Sequence, residues 1–201
     1  MKLIDAIKNE KGLPFNVPDC SRDNLPEFFK EMNFKIGAEI GTYRGEYTEK
    51  FCKVGLTMYA IDPWIGYIGA GRSEQKQDMQ DTNFEIAQKR LAPYKDCTLV
   101  RKTSMEALAD FKNESLDFVY IDGDHRFPYI AEDLYEWYSK VKKGGIISGH
   151  DYFCTDPWAS NVLCKVGPVV DAFVKAYRIE NLYVFGDPKK EKALSWMFIR
   201  P

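Results

Sequence analysis

From residue 35 onward the chain repeats one pattern: a short, nearly unbroken apolar run, a turn, then a longer amphipathic stretch. The runs predict strands at Lys35–Ile40, Thr57–Ile61, Thr98–Arg101, Leu116–Ile121 and Gly145–Ser148. A strand with one wet face alternates polar and apolar residues; these do not, so both faces are covered, as in a parallel sheet flanked by helices. The amphipathic stretches Glu46–Lys53, Glu74–Leu91 and Met105–Phe111 supply such helices. The clearest is Pro128–Val141, with Ile130, Leu134, Trp137, Tyr138 and Val141 on one face. Pro128 suits a first helical turn, and Gly144-Gly145 is expected to end that helix.

A further helix is expected near Pro168, burying Val169, Val170, Phe173, Val174 and Tyr177. The last two runs, Leu182–Phe185 and Leu194–Ile199, are joined by a link too short for a helical crossover and must pair antiparallel. The expected fold over residues 35–201 is therefore α/β: a Rossmann-like three-layer sandwich with a mostly parallel, seven-stranded sheet and a C-terminal antiparallel hairpin. Residues 1–34 read as an N-terminal helical extension with Leu25, Phe28, Phe29 and Met32 on its apolar face.

Composition narrows the partners. The 28 Lys plus Arg against 30 Asp plus Glu leave a net charge of −2, so no basic excess exists to neutralise a nucleic-acid backbone. No apolar run approaches the roughly 20 residues that span a bilayer, and Asp5, Lys8 and Glu10 interrupt the N-terminus where a secretory leader needs an apolar core. The five cysteines, Cys20, Cys52, Cys97, Cys154 and Cys164, are odd in number and contain no C-x-x-C pair. They read as reduced, mostly buried thiols. The expectation is a cytoplasmic protein acting on a small molecule, with no nucleic acid, no membrane and an oligomeric state compatible with a homodimer.

Ligands of such sheets bind beyond the C-terminal strand ends, so the residues just past each strand carry the functional reading. The first strand runs into Glu39-Ile40-Gly41-Thr42-Tyr43-Arg44-Gly45, whose glycines allow a tight turn and a close ligand approach. The same spacing also suits a plain strand-to-helix turn. Asp62 ends the next strand, where a carboxylate can accept both hydroxyls of a ribose. Together these suggest an adenosine ligand. The dinucleotide fingerprint needs a middle glycine, and Thr42 and Tyr43 fill that space; no Walker-type lysine follows. Glu39 would repel a phosphate but can receive an ammonium. S-adenosylmethionine, with an ammonium, a carboxylate and no phosphate, fits better than NAD.

The segment Leu116–His125, with Asp122-Gly123-Asp124-His125, followed by Asp133-Leu134, Gly144-Gly145-Ile146-Ile147 and Gly149-His150-Asp151-Tyr152, resembles class I S-adenosylmethionine-dependent methyltransferases. It is similar to a bacterial subgroup related to macrocin O-methyltransferase and, more remotely, to catechol O-methyltransferase. The resemblance runs from about residue 24 to the end. It implies that Glu39 and Asp122 face the methionine end of the cofactor, that Gly41 to Gly45 line its back, that Asp62 holds the ribose, and that Ser104 and Met105 flank the adenine. Thr42, Tyr43 and Trp64 complete the expected cofactor-binding set. Ser104 also reads as a helix N-cap.

Methyl transfer to an alcohol or phenol needs a base, and the chain has only two histidines. His125 and His150 each follow a strand and neighbour an aspartate, so both are catalytic candidates with Asp122, and His125 is the preferred base. Metal-dependent relatives place ligands at the positions of Asp122, His150 and Asp151. His150 departs from their oxygen-rich pattern, which leaves manganese, zinc or no metal open. Trp64, Tyr67, Tyr152, Phe153 and Trp158 fall on loops at the same end, where they could stack on a sugar or phenol or simply pack the loops down. Gly66, Gly69 and Gly71 suggest a mobile lid. Glu132-Asp133 and Lys189–Lys192 read as solvated faces. The rival readings are an NAD-dependent oxidoreductase, a non-catalytic cofactor-binding module and a metal phosphohydrolase.

Overall fold

A computed structural model describes residues 1–67, 76–153, 164–187, 189 and 191–201. The elements in chain order are α1 (Leu3–Asn9), β1 (Phe15–Val17), α2 (Leu25–Glu31), β2 (Ile36–Ile40), α3 (Glu46–Lys53), β3 (Thr57–Ile61), α4 (Gln77–Leu91), β4 (Cys97–Val100), α5 (Ser104–Ala107), β5 (Leu116–Ile121), α6 (Phe127–Tyr138), β6 (Val141–Gly149), α7 (Val166–Ala176), β7 (Tyr183–Phe185) and β8 (Ser195–Ile199). One sheet contains every strand in the order β1-β7-β8-β6-β5-β2-β3-β4. From β6 through β4 the neighbours are parallel, and β8 is antiparallel to both β6 and β7. One apolar cluster fills the face under α5, α6 and α7; a second fills the face under α1, α2 and α3. The layering follows from the continuous apolar strands, since each buries both faces.

The sheet has eight strands where seven were expected. Residues 1–34 carry a strand as well as helices: β1 pairs parallel with β7, Phe15 opposite Tyr183. Without β1 the three buried residues of β7 would end the sheet on an open apolar edge. The rest of the segment is fastened by aromatic packing. Phe29 of α2 lies 5.8 Å from Phe51 of α3 and 4.3 Å from Phe118 of β5, centroid to centroid.

A second difference lies after α6. The helix stops at Tyr138, and Val141 is already the first residue of β6, facing Leu116. Gly144-Gly145 therefore sits inside a strand. The register shifts there, since Phe118 faces Ile146; Gly144 takes φ +76° on the hump, and its N–H donates to the Arg200 carbonyl at 2.8 Å. Among the described residues Cys20, Cys52 and Cys97 are free thiols. Cys154 and Trp158 lie outside the described residues, as do Gly69 and Gly71 of the expected lid. No helix among the described residues is long and apolar enough to cross a membrane.

The chain passes from β2 outward through β3 and β4, then returns to set β5 on the other side of β2. That reversal opens a crevice between the ends of β2 and β5. Gly41, at φ +89°, turns there so close to β5 that a Cβ on it would lie 2.2 Å from the carbonyl oxygen of Asp122. A Cβ on Gly144 would meet nothing within 4 Å. Gly41→Ala should thus add a backbone clash to the cost of left-handed backbone and destabilise by about 3 kcal/mol or more. Gly144→Ala should cost only about 1–2 kcal/mol. Urea unfolding midpoints of the two variants check the difference.

Candidate active site

The parallel strands aim their C-terminal ends at one edge of the sheet, and most of the expected site residues meet there. Glu39, one residue before the end of β2, is 2% exposed and accepts a hydrogen bond from the Thr48 hydroxyl of α3. Burial pushes its carboxyl up to about 8, with Asp122 adding to the rise and Thr48 and Arg22 opposing it. At neutral pH a carboxyl so placed is mostly protonated. Asp62, just past β3, accepts the Tyr43 N–H at 2.9 Å and the Trp64 N–H at 2.8 Å, one on each oxygen. Burial raises its pKa against the pull of those two donors. The Gly41–Gly45 turn is thereby tied to the tip of β3. Gly45 takes φ +74° where it begins α3.

The tips of β5 and β6 carry a chain of alternating charge. Arg22, from the turn before α2, places Nη1 3.3 Å from Asp122 Oδ2. The other oxygen of Asp122 lies 3.5 Å from His125 Nε2, which lies 3.4 Å from Asp151 Oδ2. That oxygen in turn meets His150 Nδ1 at 2.9 Å. Burial opposes a charge on His125, but the hydrogen bond toward Asp122 and the negative charge of Asp151 outweigh it and raise its pKa. Burial likewise pushes Asp151 up, and His150 and His125 more than reverse this, holding it below the usual carboxylate range. The expected quartet of Asp122, His125, His150 and Asp151 is therefore brought together.

The same atoms satisfy the spacing of a cation site. Asp122, His150 and Asp151 offer ligand atoms within 4.8 Å of one another, and so do His125, Asp151 and Cys164. A mixed nitrogen and oxygen set of this kind fits manganese or zinc better than magnesium.

Other expected residues play supporting parts. Thr42 is buried, its hydroxyl turned 3.5 Å from the Ile61 carbonyl, while Tyr43 is half-exposed under the Arg44 guanidinium. Trp64 presents no face to the cleft: it is fully buried against Phe84 and donates Nε1–H to the Tyr43 carbonyl at 2.7 Å. It braces the turn. Ser104 is not the N-cap of α5; Thr103 is, with Glu106 closing the capping box. Ser104 lies one residue inside, accepts Trp137 Nε1–H at 2.7 Å and donates to Asp133. Met105 packs on the core.

Two residues went unread in the sequence. Asp133 is not a solvated residue but 5% exposed, because the α6 face that carries Ile130, Leu134 and Trp137 carries it inward too. Arg22 lies in the segment read as an extension, where only the Ser21-x-x-Asn24 capping turn marks a fixed backbone.

Burial pushes Asp133 up to about 6, against the hydrogen bond from Ser104. A carboxyl near 3.9 in the unfolded chain and near 6 in the fold binds its proton more tightly when folded. Its contribution is harmless below pH 4, and stability is lost as pH rises from 4 to 6. Asp133→Asn should remove that loss, so the variant should gain about 2–3 kcal/mol relative to the parent between pH 4 and pH 7. Paired denaturant titrations at the two pH values measure it.

Comparison with known proteins agrees with this geometry. A methyltransferase-domain family model matches residues 38–152, more than half of the chain. The uncharacterized protein y4gI of Sinorhizobium fredii is 27% identical over 119 residues, which is 56% of this chain and 12% of that protein. The chain thus spans a small part of that relative's length. The O-methyltransferase of Bacillus cereus, solved in complex with SAH, superposes with a TM-score of 0.64 at 15% identity, over 98% of this chain and 87% of that one. The N-methyltransferase NodS of Bradyrhizobium japonicum gives 0.60 at 14% identity, over 90% and 94%. At such identities the likeness is one of fold. The β2–β5 crevice with its acids at the tips of β2, β3 and β5, and the match from the middle of β2 to just beyond β6, lead to one conclusion: the chain belongs to the methyltransferase-domain family, on a Rossmann-like class I fold.

Proposed function

We propose that this chain is an S-adenosylmethionine-dependent O-methyltransferase acting on a small hydroxylated acceptor, sugar-like or phenol-like. The observation that carries the reading is the crevice itself: Glu39, Asp62 and Asp122 stand around the Gly41–Gly45 turn, a set of acids suited to an ammonium and a ribose and hostile to a phosphate. NAD fits less well, because Thr42 and Tyr43 occupy the place where a pyrophosphate needs glycine. When bound, the donor supplies a methyl group on a positively charged sulfur. Glu39 receives the ammonium, Asp62 the ribose hydroxyls, and the loop held by Trp64 keeps both in place. Exposed Ile65, Tyr67, Phe127 and Phe153 follow β3, β5 and β6 at this edge, which favours an acceptor with an apolar ring face.

His125 takes the acceptor proton at Nε2. Asp122 and Asp151, 3.5 and 3.4 Å away, stabilise the imidazolium that results and make the ring a stronger base than a free imidazole. Asp122, His150 and Asp151 would hold a divalent cation; such a cation would supply Lewis acidity toward the acceptor oxygen. His150 also orients Asp151 through its 2.9 Å contact.

Three outcomes are expected. Ionisation of Glu39 on donor binding should release up to one proton near pH 7, because its free pKa lies near 8. Calorimetry with S-adenosylhomocysteine in buffers of different ionisation enthalpy should show that release, and show it lost at pH 9 and in Glu39→Gln. Preference for NAD in the same titration would remove the reading. His125→Ala should lose about 10²–10⁴-fold in kcat while keeping donor affinity and metal content. His150→Ala should lose metal affinity and turnover together, and EDTA should mimic it. Full turnover in His125→Ala would exclude it as the base.

A further inference from the structure

The acids at the crevice account for the ammonium and ribose of the donor and leave its carboxylate without a partner. A cation reaches this spot from outside the matched family segment. Arg22 lies in a rigid turn: Ser21 N–H donates to Asn24 at 2.8 Å, Asp23 N–H to Ser21 Oγ at 3.3 Å, and the Tyr47 hydroxyl to the Arg22 carbonyl at 2.6 Å. The guanidinium lies 5.1 Å above the Tyr47 ring, at the first turn of α3. One of its nitrogens engages Asp122 at 3.3 Å. A guanidinium has five N–H donors in a planar fork, so most of its donor capacity is left over. Beside it stands the Tyr120 hydroxyl, fully buried and facing the guanidinium, and next to that the buried Ser195.

We propose that Arg22 binds the α-carboxylate of the methyl donor, with the Tyr47 ring beneath the guanidinium and the Tyr120 hydroxyl behind it holding the fork in place. The inference rests on the donor reading given above. The surroundings select a carboxylate over a phosphate: Asp122 already shares the guanidinium, and its charge would repel a dianion. An amino-acid zwitterion is different, since its ammonium sits one carbon from its carboxylate. It can satisfy an acid and a guanidinium at once. The N-terminal segment would then be part of the donor site and not an appendage to the fold.

The test is isothermal titration of the full chain and of Arg22→Met, which keeps a stem over Tyr47, with two ligands: S-adenosylhomocysteine and its decarboxylated analogue S-adenosylthiopropylamine. Arg22→Met should bind S-adenosylhomocysteine about ten- to hundredfold more weakly and the decarboxylated analogue with unchanged affinity, which also shows that the variant is folded. Arg22→Lys, which keeps the charge and loses the fork, should fall between. Unchanged affinity for both ligands would overturn the assignment. Equal weakening of both would overturn it too, because Arg22 would then act only by holding Asp122 or the fold. Failure of the parent chain to bind S-adenosylhomocysteine would instead overturn the donor reading, and this proposal with it.

Discussion

The contact of β2 with β5 is the constraint from which the site follows. Strands made far apart in the chain lie side by side there, and Gly41 turns against the Asp122 backbone with no room for a side chain. That closeness sets the relative height of the strand tips. Because the neighbouring strands are in parallel register, Asp62 and His150 arrive at the same edge without further adjustment. Helix α3 begins directly after the turn, so Thr48 and Tyr47 face the crevice from a fixed distance. The chemistry of the site is a property of strand register first and of side chains second.

Burial and pairing then divide the acids into two kinds. Glu39 has one hydroxyl for company, and desolvation keeps it mostly protonated at neutral pH. Asp151 is also buried but stands between two imidazoles, which keep it ionised. One carboxyl can thus take charge on demand while the other already holds it. Arg22, Asp122, His125, Asp151 and His150 form a row in which each group is stabilised by the next. Charge therefore stays nearly balanced at the mouth of an otherwise acidic edge.

Much of this was legible in the sequence because apolar runs and strand-end residues obey short-range rules. The five parallel strands, the final hairpin, the glycine turn, Asp62 and the Asp122–His125 and His150–Asp151 pairs all came from local pattern. What escaped depends on partners distant in sequence. Phe15–Val17 is too short to read as a strand until β7 is beside it. Asp133 looks exposed because an acid on a helix usually is, and only the Ser104–Trp137 pair explains its burial. Trp64 could be read as a ligand platform or as a loop anchor, and a large ring at a loop start gains more by packing on Phe84. Arg22 gave no signal at all, since nothing in a capping turn says which strand tip it will cover.

The pairing of β1 with β7 has a consequence for how the molecule is made. Phe15 and Tyr183 are neighbours in the sheet, although nearly the whole chain separates them. Contacts of such long range are formed late and slow folding. During synthesis the N-terminal segment can settle α2 against Phe51 and Phe118 as soon as those residues emerge, but β1 has no strand to join until β7 has left the ribosome. Until then the segment is held only through α2, and the edge of the sheet is finished when β1 meets β7.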